Sequence, residues 1–169
     1  MENRNDLIVN PYSSYMYSFP HKKAYREFEK PEDLGKLWGK SDNRDISLYI
    51  HIPFCTNKCG YCNLMSTTCF SGERLENYTN KLIEEIQEYS EILGTEKNSA
   101  RFSSVILGGG TPTVLDIRLM EEILTALEKY LGIDFRKTFF SMATSPKTLS
   151  YEYFQFLNKY HINRVSIGI

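Results

Sequence analysis

Apolar and polar residues alternate strictly over residues 46–52, and this period of two predicts a β-strand with one face in the core. Pro53 ends the strand, because proline cannot continue a sheet hydrogen-bond ladder. The apolar positions are Ile46, Leu48, Ile50 and Ile52, and the residues between them are Ser47, Tyr49 and His51.

A period near 3.6 predicts two long amphipathic helices, over residues 73–93 and 116–131, ended by Gly94 and Gly132. A shorter helix is predicted over residues 150–160, with Ser150 as its N-cap. The apolar face of the first helix contains Leu75, Tyr78, Leu82, Ile86, Tyr89 and Leu93. The apolar face of the second contains Leu119, Ile123, Leu127 and either Tyr130 or Leu131.

An apolar run at residues 103–107 predicts a buried strand that leads into a glycine-rich segment, residues 108–113, which we call the glycine loop. Residues 138–142 and 163–169 are further predicted strands. The repeated order of strand, loop and helix is typical of a parallel sheet with right-handed crossovers. The predicted fold class is therefore α/β, a partial TIM-like barrel of about three and a half βα units.

The chain is predicted to have two parts, an irregular N-terminal arm over residues 1–45 and a truncated barrel over residues 46–169. Residues 10–21 are rich in Tyr, Ser and Pro and follow neither helical nor strand periodicity. Aromatic rings of this arm, together with Trp38, are expected to anchor it on the barrel. Truncation is inferred because the chain ends at Ile169 inside a predicted strand.

The charge balance excludes several classes of partner. The chain has 20 basic and 21 acidic residues and a net charge of −1, so it has no bulk attraction for nucleic acid or anionic lipid. The N-terminus lacks the apolar core of a secretory signal, and no apolar run is long enough to span a membrane. These features predict a cytoplasmic protein with neither a nucleic-acid nor a membrane partner.

All four cysteines lie between Cys55 and Cys69, in the segment after the first predicted strand. We call residues 53–70 the cysteine loop. Cys55, Cys59 and Cys62 have the spacing CxxxCxxC, and three thiolates on one loop can hold a [4Fe–4S] cluster whose fourth iron stays open. Cys69 is interpreted as a small buried hydrophobe, and the structural alternative is a zinc site or a fully ligated ferredoxin-like cluster made by all four cysteines.

The motifs YIHIPFC (residues 49–55) and GGGTPT (residues 108–113) resemble those of radical S-adenosylmethionine (SAM) enzymes, specifically the oxygen-independent coproporphyrinogen III oxidase-like group. The resemblance runs from Ile46 to the last residue and implies the N-terminal part of a radical SAM core. It implies that SAM binds the open iron of a [4Fe–4S] cluster held by the three motif cysteines. Electron transfer to SAM would then generate a 5′-deoxyadenosyl radical.

The resemblance also implies cofactor-binding residues. Tyr49 corresponds to a tyrosine that contacts SAM, and Tyr61 to an aromatic residue beside it. Gly109, Gly110 and Thr111, with Gly108, match the motif whose backbone receives the methionyl amine. Alternation along the strand predicts that Tyr49 and His51 point into the barrel. For His51, a functional role and a structural hydrogen bond to the backbone are left open.

Three departures from the family pattern weaken the expectation of activity. Ala143 stands where the family usually has a glutamate that helps to bind SAM, and His161 stands where glycine is common. The glutamine and further binding residues that the family has after the position of Ile169 are not in this sequence. We expect weak SAM binding as a consequence.

Three functions remain open at this point. The first is a coproporphyrinogen III oxidase-like oxidoreductase, with a tetrapyrrole substrate and an electron donor such as flavodoxin or ferredoxin. Arg164 and residues 21–23 are candidate contacts for tetrapyrrole propionates. The second is a radical SAM methyltransferase or a tailoring enzyme for a small metabolite. The third is an inactive fragment or a four-cysteine metal-binding module.

Overall fold

The computed structural model describes residues 26–38, 46–60, 62, 64–93 and 101–169. Contacts divide the chain into two units, Met1–Asp33 and Leu34–Ile169. The sequence predicted a boundary between arm and barrel at residue 45. Residues 39–45 lie outside the described residues, so the predicted boundary stays a prediction. The predictions for residues 10–21 and 21–23 and for the Trp38 side chain also lie outside them. None of the described helices is long and apolar enough to cross a membrane.

The second unit alternates strands and helices in the predicted order. Its helices are α1 (Leu34–Trp38), α2 (Gly72–Leu93), α3 (Ile117–Leu131) and α4 (Tyr151–Lys159), with a 3₁₀ turn at Pro112–Val114. Its strands are β1 (Ile46–Ile52), β2 (Phe102–Gly109), β3 (Phe139–Thr144) and β4 (Arg164–Ile167).

The four strands form one parallel sheet in the order β1-β2-β3-β4. This confirms the predicted α/β class. Ile52 at the end of β1 pairs with Gly109 at the end of β2, and Thr144 at the end of β3 pairs with Ile167 at the end of β4. The carboxyl ends of all four strands therefore lie along one edge, where the cysteine and glycine loops begin.

The core lies between the sheet and the helices. Ile52, Leu107 and Met142 are fully buried in it, and α3 contributes seven buried residues that include the predicted face. On α2 one part of the prediction is wrong, because the side chain of Tyr89 is 39% exposed. The buried stripe of α2 instead consists of Leu75, Thr79, Leu82, Ile86, Ser90 and Leu93. Small hydroxyl residues occupy two of these positions, and Tyr89 lies at the edge of the stripe.

Side-chain caps fix the starts of two helices where the sequence predicted them. The Asp116 carboxylate accepts a hydrogen bond from the Leu119 amide at 2.8 Å, and the Ser150 hydroxyl accepts one from the Tyr153 amide at 3.0 Å. Gly132 ends α3 in the left-handed conformation with φ 63°. His161 is also left-handed, with φ 54°, which explains why glycine suits this position.

Candidate cluster and cofactor site

An open cleft of about 640 Å³ lies at the carboxyl edge of the sheet, a volume within the usual range of about 300–1,000 Å³ for small-molecule sites. It brings together the three motif cysteines, the predicted cofactor residues Gly109, Gly110 and Thr111, and the ends of β3 and β4. The lining also includes Thr56, Asn57, Lys58, Ala143, Ser145 and Lys147.

Backbone hydrogen bonds close the cysteine loop on itself. The Thr67 amide donates to the Pro53 carbonyl at 2.8 Å, and the Cys55 amide donates to the Thr67 carbonyl at 3.0 Å. Between these anchor points, the Cys62 amide donates to the Cys59 carbonyl at 3.0 Å and forms a turn. The loop thus carries its three motif cysteines on a segment whose two ends are joined.

The glycine loop is bonded directly to the start of the cysteine loop. The Gly110 amide donates to the Ile52 carbonyl, and the Thr111 amide donates to the Phe54 carbonyl, each at 2.7 Å. A Cβ on Gly110 would lie 2.5 Å from the Phe54 carbonyl oxygen, so only glycine allows this approach. Both amides therefore donate to carbonyls within the protein. An amine ligand is itself a donor, so it would bind to backbone carbonyls rather than to these amides.

The four cysteines differ in exposure. Cys55 is buried, Cys62 is half-buried, and Cys59 and Cys69 are exposed. The interpretation of Cys69 as a buried hydrophobe is therefore wrong. Its backbone is held on the surface, since its carbonyl accepts from the Arg74 guanidinium at 2.8 Å and its amide donates to the Thr67 hydroxyl at 3.1 Å. Cys69 does not line the cleft.

The arrangement of the donor side chains bears on which metal sites the cleft could form. Among the described residues, no three His, Cys, Asp or Glu side chains are grouped so that they could hold one metal ion. A zinc site needs ligands that converge on a single ion, whereas each thiolate of a cubane cluster binds its own iron. Cys55, Cys59 and Cys62 line the cleft and Cys69 does not, so the cleft presents three thiols rather than four.

Tyr49 and His51 lie on the sheet face opposite the helix-packed residues, as the alternation predicted, but they do not line the cleft. They line a separate groove of about 350 Å³ beside β1 and α2. The His51 Nε2 atom lies 2.7 Å from the Met65 carbonyl, which can only accept, so Nε2 carries the proton. Nδ1 then accepts from the Tyr49 hydroxyl at 3.1 Å.

Two tyrosines hold His51 from either side. The Tyr78 hydroxyl donates to the His51 carbonyl, and the Tyr49 ring packs edge-on to the imidazole with centroids 5.9 Å apart. Burial raises the pKa of Tyr49, and burial followed by the charges of Glu85 and Tyr49 raises the pKa of Tyr78. Both hydroxyls therefore remain protonated donors at neutral pH.

A hydroxyl network supports the cleft and was not predicted. Thr113 Oγ1 lies 2.6 Å from Thr144 Oγ1 and 2.6 Å from Thr148 Oγ1, and Ser145 Oγ lies 3.1 Å from Thr148 Oγ1. These bonds join the glycine loop to the segment that follows β3. The sequence does contain the threonines of this network, in GGGTPT and at the end of β3, but their spacing along the chain does not show that they contact each other.

The charged side chains among the described cleft lining are Lys58 and Lys147, and no carboxylate side chain accompanies them. In the amide orientation that satisfies both of its groups, Asn57 accepts from the Lys147 ammonium at 2.8 Å and donates to the Thr56 carbonyl at 2.6 Å. Ala143 occupies the wall where a carboxylate was expected. The side chains of the cleft therefore favour anionic groups.

A sequence profile described as the radical SAM superfamily matches residues 49–169, which contain both loops and the cleft. The chain belongs to the radical SAM superfamily. Tyr61, another predicted cofactor residue, lies within the matched range but outside the described residues.

Relatives of this radical SAM chain include proteins with different named functions. It is 33% identical to the heme chaperone HemW of Lactococcus lactis over 73% of this chain and 30% of the relative. It is 28% identical to the oxygen-independent coproporphyrinogen III oxidase of Pseudomonas aeruginosa over 98% of this chain and 35% of the relative. The chain thus spans about a third of the length of the curated relatives it matches.

A solved structure supports the fold independently. The Escherichia coli coproporphyrinogen III oxidase HemN superposes on 97% of this chain with a TM-score of 0.80, over 36% of the HemN chain and at 23% identity. At that identity the superposition establishes the radical SAM core fold alone.

Proposed function

We propose that this chain binds a [4Fe–4S] cluster and SAM and provides the radical-generating part of a coproporphyrinogen III oxidase-like protein. The observation that carries the proposal is the cleft, because it places Cys55, Cys59 and Cys62 beside the glycine loop at the carboxyl edge of a parallel sheet. Chemistry in parallel α/β folds is concentrated at that edge. Reduced thiolates of this kind fit a cytoplasmic location.

Each group in the cleft has a proposed task. Cys55, Cys59 and Cys62 hold three irons, and a cluster with one open iron supplies a single electron to SAM when both are bound. Lys58 and Lys147 attract anionic groups, among which are the cluster with its thiolates and a carboxylate ligand. Carbonyls of Gly109 and Gly110 are the acceptors for an ammonium group. Tyr49, which lines the neighbouring groove rather than the cleft itself, and Tyr61 are the aromatic contacts that we propose for SAM.

The substrate proposal rests on the relatives. Proteins named for coproporphyrinogen, and proteins named as heme chaperones, both match this chain, and both names refer to tetrapyrroles. We propose a tetrapyrrole partner and an electron donor such as flavodoxin or ferredoxin. Heme delivery is the second candidate function, because HemW relatives match at 28–34% identity, and the matched oxidase at 28%.

Anaerobic reconstitution with iron and sulfide tests the cluster. We expect about four iron and four sulfide ions per chain. The reconstituted chain should also show a broad absorption in the visible range, and this absorption should decrease on reduction. Cys55→Ser, Cys59→Ser and Cys62→Ser should each lose most of the iron. Cys69→Ser is the matched control and should keep it, because Cys69 lies outside the cleft. A chain that takes up one zinc and no sulfide would overturn the proposal.

Two further assays separate the candidate functions. Dithionite reduction with SAM should release 5′-deoxyadenosine only slowly, because Ala143 supplies no carboxylate to the cleft, and Ala143→Glu should increase the rate. A heme titration, monitored by visible absorption, tests the heme-delivery function. Saturable heme binding without conversion of coproporphyrinogen would favour delivery, whereas conversion without heme binding would favour the oxidase.

A further inference from the structure

A side chain of the glycine loop contacts a motif cysteine directly. The Thr111 hydroxyl lies 3.7 Å from Cys55 Sγ, within the range of an O–H···S hydrogen bond. In this contact the hydroxyl donates and the sulfur accepts, and the sulfur of a cluster-bound thiolate would have no proton to donate. Among the three motif cysteines Cys55 is the buried one, so water competes least for its sulfur.

The backbone on both sides of this contact is fixed. The Thr111 amide donates to the Phe54 carbonyl at 2.7 Å, and the Cys55 amide donates to the Thr67 carbonyl at 3.0 Å. Thr111 is therefore bonded to the residue directly before Cys55, and this backbone pairing brings its hydroxyl to the Cys55 sulfur.

The other threonine of the glycine loop is occupied elsewhere. Thr113 is buried, and its hydroxyl lies 2.6 Å from each of two other threonine hydroxyls in the network described above. The two threonine hydroxyls of the TPT segment therefore have different partners. One supports the wall of the cleft, and the other is directed at a cluster ligand.

We propose that Thr111 sets the reduction potential of the cluster by donating a hydrogen bond to the Cys55 thiolate. A donor to a ligating sulfur withdraws electron density and stabilises the reduced cluster, which carries one more negative charge. The inference rests on the proposed function, because it requires a cluster on Cys55. It gives Thr111 a task toward the cluster ligand itself, separate from contact with SAM.

The test is a redox titration of the reconstituted chain, monitored by electron paramagnetic resonance, with no SAM or substrate present. Thr111→Val keeps the size and the backbone amide but removes the hydroxyl, and we expect its midpoint potential to shift to a more negative value. Thr111→Ser keeps the hydroxyl and should retain the wild-type potential. Thr68→Val removes an exposed hydroxyl from the same loop but outside the cleft lining, and it is the matched control, expected to leave the potential unchanged.

The outcomes separate this inference from the proposed function. Equal potentials in the wild type and Thr111→Val, at equal iron and sulfide content, would overturn the role of Thr111 while the cluster proposal stands. Failure of the wild type to take up iron and sulfide would overturn the cluster proposal and with it this inference. If Thr111→Val folds poorly by circular dichroism, Thr111→Ala, which adds no atoms to the packed loop, gives the same comparison and the same expected shift.

Discussion

The bonded pair of loops makes a quantitative prediction about Gly110. In Gly110→Ala the new Cβ would lie 2.5 Å from the Phe54 carbonyl oxygen and 2.9 Å from the Ile52 carbonyl oxygen, both of which are backbone atoms that cannot rotate away. The loops must separate, and the two 2.7 Å hydrogen bonds from Gly110 and Thr111 lengthen or break. Each bond contributes about 1 kcal/mol, and overpacking costs about 1–3 kcal/mol. We therefore expect a loss of about 3–5 kcal/mol in the free energy of unfolding.

Urea unfolding monitored by circular dichroism measures this loss. At a denaturant slope of about 2 kcal/mol per molar, the midpoint should fall by roughly 2 M. Gly72→Ala is the matched control, because nothing lies within 4 Å of a Cβ at the start of α2, and its midpoint should stay constant or rise slightly. If Gly110→Ala lost less than about 1 kcal/mol, the loops would not be held as described.

Two further predictions concern stability away from the cleft. His161→Gly should stabilise the chain by about 0.5–1 kcal/mol, because a φ of 54° strains a residue that has a Cβ. The melting temperature measures this effect, and an unchanged or lower value would contradict the prediction. Asp116→Ala should lower the free energy of unfolding by about 1 kcal/mol, because it removes the 2.8 Å hydrogen bond to the Leu119 amide. Asp116→Asn keeps an acceptor and should lower it less. Equal losses in the two variants, measured by urea unfolding, would argue against the cap.

Local sequence signals were sufficient for most of the fold. β1 was predicted with its observed bounds, since strict alternation and Pro53 define both its face and its end. Ser150 was predicted as an N-cap because capping is a local interaction, whereas Asp116 was predicted only as the first residue of its helix and the structure shows it to be the cap. β2 extends to Gly109, beyond the predicted apolar run, because that glycine pairs with Ile52 on the neighbouring strand. A partner distant in sequence leaves no such local signal.

Tyr89 shows why helix faces are less predictable than helix positions. Tyrosine is apolar over its ring and polar at its hydroxyl, so it satisfies either the core or the edge of a helix. The structure buries the small hydroxyl residues Thr79 and Ser90 instead. The choice depends on the space between elements, which the sequence of one helix does not contain.

The cysteine spacing and the glycine motif each identified a loop, and parallel topology predicted that the two would share one edge. The sequence did not predict that the loops bond to each other, because the amides of Gly110 and Thr111 meet carbonyls more than fifty residues earlier in the chain. The hydroxyl contact to Cys55 follows from that bonding. Specific hydrogen bonds across a sheet edge depend on strand register, and the register was observed rather than predicted.

The relation between His51 and Gly109 changes how the glycine motif is understood. A Cβ on Gly109 would lie 2.7 Å from the His51 ring, and the φ of Gly109 is +99°, so this glycine is required by a neighbouring side chain as well as by its own backbone. The same ring holds the Met65 carbonyl at 2.7 Å, close to the end of the cysteine loop. Gly109 therefore makes room for a histidine that fixes one end of the loop, while Gly110 makes room for the carbonyl of Phe54 at the other. Successive glycines in this motif thus serve the packing of the cysteine loop in the protein itself, and close approach of the proposed cofactor would be a second demand on the same residues.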